Sequence, residues 1–140
     1  MSNNSSAISS LMQQISSLNT RISDGNSRLR ALEDELRGVE AAIRDLIVII
    51  GSASKISTSI SKLDCDNTMK WQGEVSNRVN ALYDASVGRS ASLSNTLKGV
   101  LDDLNERAER LRSDIRSQLK TVDGWVSQRS TLQSELNSLS

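Results

Sequence analysis

Residues 8–53 read ISSLMQQISSLNTRISDGNSRLRALEDELRGVEAAIRDLIVIIGSA. One set of apolar positions is Ile8, Ile15, Ile22, Leu29, Leu36, Ile43 and Ile50. A second is Leu11, Leu18, Gly25, Leu32, Val39, Leu46 and Ala53, in which only Gly25 lacks an apolar side chain. Two apolar positions held in strict seven-residue register predict one long helix with a packing seam. Beyond Ala53 the apolar residues are Ile56, Ile60 and Leu63. Ile60 keeps the second set, whereas Ile56 and Leu63 fall one position ahead of the first. The seam is therefore expected to drift around the helix there, and the helix to span 8–63.

Residues 64–73, Asp-Cys-Asp-Asn-Thr-Met-Lys-Trp-Gln-Gly, interrupt the pattern and predict a connection. A second periodic stretch follows. From Val100 through Leu104, Ala108, Leu111, Ile115, Leu119, Val122 and Val126 the spacing suggests an eleven-residue period. This predicts a helix over 74–138, with a bend or break around 83–91, where Gly88 lies among small and polar residues. Two long helices joined by a short connection bury their stripes against each other only if they run antiparallel. The expected fold is all-α: one domain over 1–140, an elongated, coiled-coil-like, antiparallel two-helix hairpin.

Composition narrows the function. The chain has no Pro, no Phe, no His and a single Cys, and its formal net charge is zero. The absence of Pro permits uninterrupted helices. Without His there is no Ser-His-Asp triad and no base for Cys65 as a nucleophile. A neutral chain with 2% aromatic residues is poorly equipped to neutralise phosphates or stack bases. Asp64, Asp66 and Asn67 beside Cys65 supply too few regularly spaced ligands for a cation and read better as capping residues. The expectation is a non-enzymatic protein without cofactor or metal. Cys65 cannot form an internal disulfide, which suits folding in the cytoplasm. No basic and apolar leader opens the sequence, and the apolar run Leu46–Ile50 is far short of a membrane span.

Acidic-before-basic pairs at a spacing of four (Glu33 and Arg37, Glu40 and Arg44, Asp103 and Arg107, Glu106 and Arg110) support a solvated helix face. Apolar residues also stand beside the expected seams: Ile47, Val48 and Ile49 on the first helix, Leu101 and Trp125 on the second. A two-helix object exposes much surface for its volume and is marginal alone. The expectation is a larger helical bundle completed by a partner, with Ile47, Ile49, Leu101 and Trp125 as the contacts.

Trp71-Gln72-Gly73 lies between the two helices, where an aromatic can cover the last core layer and a glycine can shape the turn. In this setting the pattern resembles the WXG superfamily of small helical hairpins exported by type VII secretion in Gram-positive bacteria. The longer stretch Met69-Lys70-Trp71-Gln72-Gly73-Glu74 resembles the YwqH-like family, encoded beside LXG polymorphic toxins. The resemblance implies an adaptor that binds the helical N-terminal region of such a toxin, with or without a second small helical protein. It also implies export by the type VII route without a cleaved signal peptide. The Tyr-x-x-x-Asp/Glu signal of exported relatives has no match: Tyr83 is followed at that spacing by Val87, and Trp125 by Arg129. The rival reading is a homo-oligomeric coiled-coil scaffold. A more distant one is a pore-forming or membrane-tethering protein.

Overall fold

A computed structural model describes residues 2–67 and 74–140, with side chains at 4–60, 62 and 77–140. Helix α1 spans Ser2–Asn67 and helix α2 spans Glu74–Leu139. There is no strand among the described residues. The architecture is an all-α helical hairpin in which the two helices pack against each other.

Both helices run further than the sequence predicts. α1 takes in the Ser- and Asn-rich residues before Ile8, and Asp64–Asn67, placed above in the connection, are still helical. α2 continues as helix through residues 83–91, so the expected break is absent. Ser, Asn, Asp and single glycines cost a helix interior at most about 1 kcal/mol each, and only Pro is a strong barrier. The hydroxyls also find acceptors within their own helix. Thr20, Thr58, Thr96 and Thr121 each donate to the carbonyl four residues earlier, at 3.0–3.3 Å.

On α1 the heptad holds throughout. Each slot from Ile8 and Leu11 to Ser57 and Ile60 is buried or half-buried. As far as Ile60 the seam does not drift: Ser57 keeps the first register while Ile56 is 59% exposed, and the side chain of Leu63 lies outside the described ones. On α2 the eleven-residue reading is overturned. A row of covered positions runs Asn80, Tyr83, Val87, Ser90, Ser94, Leu97, Leu101, Leu104, Ala108, Leu111, Ile115, Gln118, Val122, Trp125, Arg129, Leu132, Leu136 and Leu139, four and three apart in strict alternation, with Val79 and Arg112 half-buried beside it. Val100 and Leu119 lie outside this row, each 44% exposed. The cause is mechanical. A helix stays in contact with a heptad partner only by sharing its period, so α2 takes the register of α1. Polar residues then fill some slots. Long side chains such as Gln118 and Arg129 can lay their aliphatic stems over the seam and keep their polar ends in water.

The chain forms two compact units: residues 1–38 with 109–140, and residues 39–108. In the first, Ile22, Leu29 and Val122 make a core against which Ile115 and Trp125 pack. Arg129 donates to Asn19 at 2.9 Å. Gly25 faces Val122 and Trp125. Ascending numbers on α1 thus meet descending numbers on α2, as an antiparallel pair requires. In the second unit Val39, Leu46, Ala53 and Ala108 are buried. Among the described residues none of the large side chains is fully buried, so each gains only part of the roughly 1.5–3 kcal/mol that full burial of an aliphatic side chain supplies.

Arg37 pairs with Asp34 rather than with Glu33, and Arg112 with Glu109 at 2.5 Å, both in exposed settings. Such surface pairs contribute well under about 1 kcal/mol each.

Candidate functional site

Exposed large apolar side chains are unevenly distributed. The unit of residues 39–108 carries Ile47, Val48, Ile49, Ile56, Leu82, Leu93 and Val100; the other carries Met12, Leu119 and Val126. The heptad places most of the first group. Ile49 and Ile56, seven apart, precede the seam residues Ile50 and Ser57. On α2, Leu93 and Val100, also seven apart, precede Ser94 and Leu101. Helical residues seven apart share a face, so each helix presents a short apolar stripe beside its seam.

The two stripes meet along one side of the unit. Ile49, Ile56 and Ile60 of α1 face Ser86, Ser90 and Leu93 of α2 across a groove of about 430 Å³, completed by Ser52, Ala53 and Arg89. Ile49, Ile56 and Leu93 are 51–59% exposed around it. The seam itself is small at this level: Ala53, Ser57, Ser90 and Ser94 occupy its slots. The bulk that would fill a two-helix core stands instead at the edge, open to water. The opposite flank of the same unit is different in kind. There Ser54, Ser57, Thr58, Ala91, Ser94 and Asn95 line a hollow with no large apolar wall. On α1 of the other unit, the positions equivalent to Ile49 and Ile56 are Gln14, Arg21, Arg28 and Glu35. The apolar groove is thus specific to one flank of one unit.

Of the residues singled out in the sequence, Ile49 alone lines this groove. Ile47 is 54% exposed but follows Leu46 in the heptad and so belongs to the other flank. Leu101 and Trp125 are not beside the seam, as the eleven-residue period placed them; both occupy seam slots, and Trp125 packs on the Ile22, Leu29 and Val122 core. Trp71 and Gly73 lie outside the described residues, as do the side chains around Cys65. Ile56, expected in a drifting seam, and Leu93, expected in the apolar stretch of α2, line the groove instead, together with Arg89, which no apolar pattern marks. Ser57 holds the seam slot, so Ile49 and Ile56 fall at one heptad position beside it.

Among the described residues no three Asp, Glu or Cys side chains are placed to hold a metal, and no helix is long and apolar enough to cross a membrane. No family model, no curated protein and no solved structure matches the chain.

Proposed function

We propose that this protein is a non-enzymatic adaptor whose partner is the helical N-terminal region of an LXG-type toxin bound for type VII secretion. The observation that carries the reading is the exposed apolar groove bounded by Ile49, Ile56 and Leu93. A unit with Ile49, Ile56 and Leu93 exposed beside its own seam gains stability when a third helix covers them. The class of partner comes from the resemblance of Met69-Lys70-Trp71-Gln72-Gly73-Glu74, between two long helices, to the YwqH-like pattern. Binding is lateral helix packing, and the adaptor accompanies the toxin region toward export. Tyr83 and Val87, where an export signal would be sought, are both half-covered seam residues of α2. The signal for export is accordingly assigned to the partner.

Co-expression with the helical region of a neighbouring LXG toxin tests this. The two chains should co-purify, and the adaptor's melting temperature should rise in the complex. Absence of a complex, together with a stable homodimer of the adaptor alone, would replace the reading with that of a structural scaffold.

A further inference from the structure

We propose that the groove is filled by an amphipathic helix from a different protein, one that presents a carboxylate to Arg89, and that a second copy of this chain does not fit there. This rests on the reading of the groove as a docking surface and specifies what docks. Arg89 is the one charged residue among those lining the groove; its other walls are isoleucine, leucine, alanine and serine. Its neighbours three and four positions away on α2 are Ala85, Ser86, Ser92 and Leu93, none of them acidic. The wall opposite, Ile49, Ser52, Ala53, Ile56 and Ile60, carries no acid either.

In the open groove the guanidinium is solvated. Once a helix covers the apolar walls, water is displaced from around Arg89, and a buried cation without a counter-ion is strongly unfavourable. With no acid in the lining, the counter-ion comes from the incoming helix. A guanidinium takes a carboxylate through two parallel hydrogen bonds, which also fixes the register of the occupant. A second copy laid groove to groove brings another Arg89 and no acid from its lining, so neither guanidinium gains a counter-ion there. Ser52, Ser86 and Ser90 are small and leave room for a helix backbone to come close.

The test uses the full chain and two labelled synthetic 28-residue amphipathic helices. They share a leucine and isoleucine stripe and differ in bearing Glu or Lys at the positions beside it. The Glu peptide should bind at least tenfold more tightly at low salt. Arg89→Glu should reverse the order, and Arg89→Met should remove the difference while both peptides still bind. Ile56→Asp should abolish binding of both with the helical circular-dichroism signal unchanged. Equal binding of the two peptides, or a preference that survives Arg89→Glu, overturns the assignment to Arg89 and leaves the docking surface standing. Failure of both peptides to bind, or binding unaffected by Ile56→Asp, overturns the docking surface itself. A dimer of the chain seen by light scattering and dissociated by Ile56→Asp makes a second copy the occupant and overturns the proposal.

Discussion

Gly25 occupies a seam slot where every other α1 heptad slot from Ile8 to Ala53 is apolar, and its surroundings show why no side chain is tolerated. A Cβ there would come within 2.7 Å of Val122 Cγ2 and 3.1 Å of Trp125 Cζ3. Val122 is buried and its branched side chain has little freedom to move away. Trp125 therefore fills the space that Gly25 leaves. Glycine costs a helix interior about 1 kcal/mol relative to alanine, whereas overpacking costs about 1–3 kcal/mol. Gly25→Ala should accordingly lower the melting temperature. Gly99→Ala, whose added methyl group meets nothing within 4 Å, should raise stability by about 0.5–1 kcal/mol. Thermal unfolding of the two variants side by side checks the account; stabilisation by both would show that Gly25 is an ordinary helix position. Trp125→Ala should cost about 2–3 kcal/mol, less than a fully buried aromatic because Trp125 is only half covered.

Along a helix, the position within the heptad decides what a residue does more than its hydrophobicity. Leu119 is apolar yet 44% exposed, while the adjacent Gln118 is half-buried beside Gly25. Leu119→Gln should thus change stability by less than about 0.5 kcal/mol. Ile115→Ala, in the seam and against the Ile22, Leu29 and Val122 core, should cost about 2 kcal/mol or more. Urea unfolding of both distinguishes the heptad from the eleven-residue period, under which Leu119 would be as costly a site as Ile115. The contrast also shows what sequence alone can reveal. α1 was legible because its seam is apolar at nearly every slot, so composition and register carry the same message. α2 was not, because Ser90, Ser94, Gln118 and Arg129 hold seam slots while Val100, Leu119 and Val126 hold none. Apolar periodicity alone therefore matches the seam at Leu104, Ala108, Leu111, Ile115 and Val122 and leaves it at Val100, Leu119 and Val126. The register of α2 comes from α1, and that information is not local to α2. The same error placed Leu101 beside the seam. Leu101→Asp should therefore unfold much of the unit of residues 39–108, whereas Ile49→Asp should leave it folded.

For the molecule as a whole, the two units divide the work differently. The unit of residues 1–38 and 109–140 joins its helices through larger seam residues, the Ile22, Leu29 and Val122 core and the bond between Asn19 and Arg129. The unit of residues 39–108 has small residues in part of its seam and isoleucine and leucine beside it. Its apolar groove lies on the flank of Ile49 and Ile56, while the exposed Ile47 and Val48 stand outside it. Apolar walls from both helices around one groove separate a docking surface from singly exposed apolar residues, which are common on any protein. The matched pair Ile56→Asp and Ile47→Asp exploits this, since both residues are more than half exposed and neither holds a seam slot. The most direct measurement is light scattering after size exclusion of each variant co-expressed with the helical N-terminal region of an LXG toxin. Helicity is followed by circular dichroism on the same samples. Ile56→Asp should lose the complex while keeping the parent's helix signal, and Ile47→Asp should retain the complex. A complex that survives Ile56→Asp, or one that Ile47→Asp disrupts equally, would contradict the account.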